Sequence, residues 1–162
     1  MGYTHYWNFN KPKGAKIADL EKAYQTAIKE IGQVARIWQK EHPKGSDLDH
    51  MRLSGYTAHV KKNSYGGCDI NGKGDLAHEN FVLRDHFSQA LKDGGDFCKT
   101  AQKPYDTVIV ACLAILKYRL GDAIEVSSDG DATDWIEGVA LARRCTARVV
   151  PNPLGTGLKI VA

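Results

Sequence analysis

Val108-Ile109-Val110-Ala111-Cys112-Leu113-Ala114-Ile115-Leu116 is an unbroken apolar run, continued by Lys117-Tyr118-Arg119-Leu120. It is apolar nearly all round its helical projection, which predicts a helix over 108–120 buried on every side and serving as the axis of the core. Such a helix needs other elements to cover it, and the residues around it supply them. Downstream, Ala123–Val126 reads as a short strand and Ser127-Ser128-Asp129-Gly130-Asp131 as a turn. Asp134 with Glu137 then forms a capping box opening a last helix through Trp135, Val139, Ala142 and Cys145. Pro151-Asn152-Pro153 closes that helix, and Leu158-Lys159-Ile160-Val161 suggests a terminal strand.

Upstream, residues 3–9 alternate, with Tyr3, His5, Trp7 and Phe9 on one side and Thr4, Tyr6 and Asn8 on the other, which is the period of a strand. Lys11-Pro12-Lys13-Gly14 stops it. From Ile17 through Leu20, Tyr24, Ala27, Ile28, Ile31, Val34 and Ala35 to Trp38 the apolar positions fall on a helical stripe. The glycine-rich middle holds short candidate strands at Gly55–Ala58, Tyr65–Ile70 and Asn80–Leu83. Asn71-Gly72-Lys73-Gly74-Asp75 is expected to turn a hairpin between the last two, since an Asn-Gly step favours left-handed backbone. The expectation is an α+β fold over residues 1–162 as a single domain: a small, mostly antiparallel sheet packed against about three helices, one of them buried.

At 162 residues, 43% hydrophobic and 25% charged, the chain has the composition of an ordinary folded domain. The 22 basic and 19 acidic residues leave a formal charge of +3 and are mixed along the chain, which argues against duplex nucleic acid as a partner. A tight small anion needs only a few placed donors, so a phosphorylated ligand stays open. Cys68, Cys98, Cys112 and Cys145 lie far apart with no Cys-x-x-Cys pair, which disfavours a zinc site or redox dithiol and leaves reduced thiols as the expectation. The start carries no charged leader or apolar stretch and no window is apolar enough for a membrane span, so a cytoplasmic protein without a membrane partner is expected. No metal or other cofactor is implied by any motif.

Four segments carry chemistry. In the N-terminal strand His5 stands among aromatics, either as a hydrogen-bonded core residue or as a ligand contact, with Tyr6 and Trp7 available to stack on a base. In Asn71–Glu79 a glycine turn brings Lys73, Asp75, His78 and Glu79 close together, and one of the adjacent His78-Glu79 pair would point inward and need a partner. The segment Phe97-Cys98-Lys99-Thr100-Ala101-Gln102-Lys103-Pro104-Tyr105-Asp106 leads into the buried helix. Helix N-termini hold anions, so Cys98, Lys99, Thr100, Lys103, Tyr105 and Asp106 are candidate ligand contacts there, with capping as the competing role for Asp106. In Ser127–Asp134 the turn suggests Ser128 and Asp129 as ligand contacts to a hydroxyl or base, while the spacing lacks the terminal glutamate of a calcium loop. No nucleophile elbow, phosphate-binding loop or zinc-binding helix is present.

Gly2-Tyr3-Thr4-His5-Tyr6-Trp7, Asn71–Glu79, Phe97–Asp106 and Ser127–Gly130 together resemble a group of small phage- and prophage-encoded proteins. That resemblance implies a setting, the cytoplasm of an infected bacterium, and carries no catalytic residue across. It suggests a counter-defence protein that binds, and in an enzymatic version cleaves without a metal, a small phosphorylated nucleotide-derived signal. In that version His78 or His5 is the general acid or base, Glu79 or Asp106 orients it, and Lys99 meets developing negative charge. The competing expectation is an inhibitor that acts by covering a host protein. A homodimer through the Ile17–Trp38 helix is compatible with either.

Overall fold

A computed structural model describes residues 2–42, 51–54 and 68–155. In chain order the elements are β1 (Thr4–Phe9), α1 (Ile17–Glu41), β2 (Met51–Ser54), β3 (Cys68–Gly72), β4 (Phe81–Leu83), α2 (Phe87–Asp93), β5 (Gly95–Lys99), α3 (Asp106–Leu120), β6 (Ile124–Ser128) and α4 (Ile136–Thr146). The fold is α+β. Two small antiparallel sheets, ordered β5-β1-β6 and β2-β3-β4, accompany four helices among the described residues. The expected strands at Gly55–Ala58 and Leu158–Val161 lie outside the described residues.

The Val108–Leu116 run is buried throughout, as its all-round apolarity demands, and α3 packs against α1 on one side and α4 on the other. Gly138 of α4 permits that second contact: a β-carbon there would fall 2.3 Å from Val110 Cγ1. On α1 the buried positions Tyr24, Ala27, Ile31, Val34, Ala35 and Trp38 face the core. That stripe packs against the core within the chain, while Ile17 at its start is exposed. Glu30 on the same helix is buried but held by Arg119 through two hydrogen bonds of 2.6 and 2.9 Å, the bidentate pairing that makes a buried carboxylate tolerable.

Strand β1 runs between β5 and β6, antiparallel to both. Its alternation turns His5, Trp7 and Phe9 toward the helices and leaves Tyr6 and Asn8 exposed. Strand β5 was not legible in the sequence. The Phe97–Lys99 stretch, expected as the approach to a helix, is instead extended and hydrogen-bonded to β1, and Ser127 and Ser128, expected in a turn, close β6.

The hairpin expected around Asn71-Gly72 forms, with β3 paired to β4, but those two residues are strand rather than turn. Asn71 Oδ1 accepts from the amides of Gly72 and His78, and its Nδ2 donates to His78 O and Asn80 Oδ1, so one side chain ties both ends of the connection. Gly72 is needed for close approach, since a β-carbon would sit 2.0 Å from the Leu76 carbonyl oxygen; the left-handed glycine is Gly74. The expected Asp134–Glu137 box does not open α4. Asp131 Oδ1 accepts from the amides of Thr133 and Asp134, and Asp134 Oδ2 accepts from Asp131 N, so the two aspartates cap a turn that precedes the helix.

Candidate functional site

The four chemically loaded segments meet. Register pairs His5 with Cys98 on one side and with Ser128 on the other, so Cys98, His5 and Ser128 form a row across the sheet. The first turn of α3 supplies Asp106 to the same place. His5 is fully buried, and both ring nitrogens are engaged: Nε2 lies 2.6 Å from Asp106 Oδ1 and Nδ1 lies 2.9 Å from Ser128 Oγ. Thr100, also fully buried, donates its hydroxyl to the same Asp106 oxygen. With an ionised Asp106, which only accepts, a neutral imidazole would donate from Nε2 and accept from Ser128 at Nδ1. Ser128 Oγ in turn accepts from Gly130 N at 3.0 Å, which orients the hydroxyl proton toward the ring. A hydroxyl, an imidazole and a carboxylate thus stand in the donor order of a proton relay, with the two ring nitrogens exchanged relative to the usual serine–histidine–aspartate arrangement.

The imidazole is clamped edge-on by the rings of Tyr3, 5.1 Å away, and Trp135, 5.3 Å away. The Tyr3 hydroxyl lies beside Ser128 and Trp135 but meets neither in hydrogen-bond geometry, and Trp135 Nε1 is likewise buried without a partner among the described residues. Burial is the main reason the Tyr3 phenol is pushed up, although the Ser128 hydroxyl opposes it. Tyr3 reads in sequence as part of the strand alternation and Trp135 as part of the last helix, and no signal in one dimension marks their approach to His5.

Strain accompanies the relay. Ala101 and Gln102, consecutive non-glycine residues, both adopt left-handed backbone at φ 51 and 53°. The Tyr3 carbonyl holds that bend by accepting from the amides of Thr100 and Ala101. Across the bend, Lys103 Nζ donates to Asp75 O, which docks the turn carrying Lys73 and Asp75 onto the segment that leads to α3. Tyr105 Oη and Cys98 Sγ both donate to Glu79 O, and Glu79 Oε2 accepts from Lys99 N. Asp129 Oδ2 accepts from Thr4 N, binding the start of β1 to the end of β6.

Several candidates take other places. Glu79 Oε2 straps β5 to the β3–β4 connection, and the His78 side chain is exposed. Trp7 lies in the core against Phe81, and Tyr105 is buried with its hydroxyl committed, so neither offers a ring face at this end of the sheet. Tyr6 does offer one, on the opposite, open side of the sheet beside Phe97. Lys99 belongs to β5 rather than to the helix start, and its side chain lies against Gly2. The amides of Asp106, Val108 and Ile109 already donate to the carbonyls of Lys103 and Tyr105, and Asp106 complements the positive end of the helix dipole. That end is therefore not an open anion site. Burial pushes the Cys98 thiol up to about 12, and the opposing hydrogen bond with Tyr105 does not reverse this; a thiol held protonated is a poor nucleophile.

Among the described residues no group of three histidine, cysteine, aspartate or glutamate side chains could hold a metal ion, and no helix is long and apolar enough to cross a membrane. No family model, curated protein or solved structure matches the chain.

Proposed function

We propose that this protein binds a small phosphorylated, nucleotide-derived ligand at the end of the β5-β1-β6 sheet where β1 begins, α3 starts and β6 ends. The observation that carries the reading is the convergence of three segments distant in sequence, the start of β1, the stretch leading into α3 and the end of β6, on one buried histidine held between Ser128 and Asp106. A fold that needed only a packed core would fill this position with an apolar side chain and avoid desolvating a histidine, a threonine and a carboxylate together. Lys99, whose side chain lies against Gly2, brings a cationic group to the start of β1. In the phage setting that the sequence resembles, such binding would withdraw a nucleotide signal from a bacterial host's defence.

The relay favours turnover as a second stage of the same reading. His5, oriented by Asp106, takes the Ser128 proton as the hydroxyl attacks the phosphorus of a phosphodiester, and gives it to the leaving ribose oxygen as the P–O bond to that oxygen breaks; water, deprotonated by His5 in the same way, then cleaves the phosphoseryl ester and restores Ser128. Incubation with a pooled panel of bacterial cyclic nucleotides and NAD-derived signals, followed by heating and mass spectrometry of what is released, tests both stages. An intact compound means sequestration, and a linearised or hydrolysed one means catalysis. Ser128→Ala then abolishes turnover while leaving binding within about threefold, because the half-buried hydroxyl contributes one hydrogen bond to the ground state. Release of nothing overturns the ligand reading and favours an inhibitor that covers a host protein. For that alternative the specific observation is Tyr6 and Phe97 side by side and exposed on the open side of the sheet, 43% and 54% accessible.

A further inference from the structure

Away from the relay, a cavity of about 140 Å³ opens where the end of β4, helix α2 and the start of β5 meet. Trp7, Phe9 and Leu83 form its apolar floor, and Arg84, Asp93 and Asp96 stand at its mouth. The volume matches the space that a single six-membered ring fills, since an engineered apolar cavity of about 150 Å³ takes up benzene. The charges at the mouth do not cancel. Arg84 Nε is hydrogen-bonded to Asp93 Oδ2 at 2.6 Å, a pair that neutralises itself. Among the described residues Asp96 accepts only from the Phe97 amide, on its Oδ1, and register places it beside Trp7 on the cavity side of the sheet. A single carboxylate left over an aromatic floor is the recognition pattern for a cation with an apolar body.

We propose that this cavity is a binding site for a single-ring organic monocation, a primary arylalkylamine in its simplest form. The ring lies on Trp7 and Phe9 and the ammonium meets Asp96. The site shares no residue with the His5 relay, so it stands or falls independently of the function proposed above.

Benzylamine and its neutral analogue benzyl alcohol provide the test, titrated into the full chain while the three tryptophan indole N–H signals and the Gly94 and Gly95 amides are followed by NMR. Benzylamine is expected to move the Trp7 indole and both glycine amides saturably, and benzyl alcohol to do so about fivefold more weakly, the scale of one partly exposed ion pair. Asp96→Asn, at an exposed position, is expected to reduce benzylamine to the affinity of the alcohol and to leave the alcohol unchanged. Val82→Phe, which fills the cavity from its wall, abolishes both. Equal affinities in the parent chain, no saturable shift at Trp7, or shifts confined to Tyr6 and Phe97 would each overturn the proposal.

Discussion

Gly130 lies where a β-carbon would fall 2.1 Å from the Tyr3 hydroxyl oxygen and 2.8 Å from Asp134 Oδ2. Its role is to let the β6–α4 turn close over Tyr3 and so to press the Tyr3 ring against His5. Gly130→Ala should cost about 1–3 kcal/mol by overpacking, read as a fall in Tm of about 2–4 °C for each kcal/mol in a chain of this size. Tyr3→Phe alone should be neutral, because the hydroxyl it removes is buried without a hydrogen-bond partner among the described residues. Combined with Gly130→Ala it should recover part of the loss by removing the nearest clashing atom. A Tyr3→Phe variant that loses more than about 1 kcal/mol would show instead that the hydroxyl is bonded in solution.

At the scale of elements, the β3–β4 connection depends on Asn71, a 5% exposed side chain that makes four hydrogen bonds to the strands and turn around it. Asn71→Ala leaves the Gly72 and His78 amides and the His78 carbonyl without that partner, at an expected cost of about 2–4 kcal/mol. Because Lys103 and Tyr105 bond to the same connection, the loss should spread: amide exchange should speed up from Asn71 to Glu79 and also from Lys99 to Tyr105. Exchange that changes only within the hairpin would mean that the two segments touch without supporting one another.

Across the whole molecule, Glu21 couples α1 to the start of α2. Its carboxylate accepts from Phe87 N and Gln25 Nε2 and faces His86 Nδ1 at 2.6 Å. Partial burial pushes the carboxyl up, but the hydrogen bonds from His86, Phe87 and Gln25 outweigh it and hold the group below the ordinary 4.5. A carboxylate whose folded pKa lies below its unfolded one stabilises the fold above the unfolded value. That contribution is lost as pH falls through the folded value. Glu21→Gln should therefore melt lower than the parent at pH 7, with the gap closing as pH drops below about 4. A gap that stayed constant down to pH 3 would show that the ionised carboxylate adds nothing beyond its shape.

The sequence by itself determined the helices that carry the core and the strand that opens the chain. Burial of Val108–Leu116 on all sides and the alternation of residues 3–9 are properties of local spacing, and spacing survives in one dimension. It also named His5, Thr100, Asp106 and Ser128 as chemically loaded. Only the tertiary structure could bring these four together, because β1 lies between β5 and β6 and that pairing joins residues about a hundred positions apart. The same non-local pairing made a strand of Gly95–Lys99, whose glycine, aspartate and lysine have little strand propensity of their own. It also gave Glu79 a partner the sequence does not show, the Lys99 amide of β5, from which its carboxylate accepts. What a residue can do followed from its type, and what it can reach was decided by the register of the sheet.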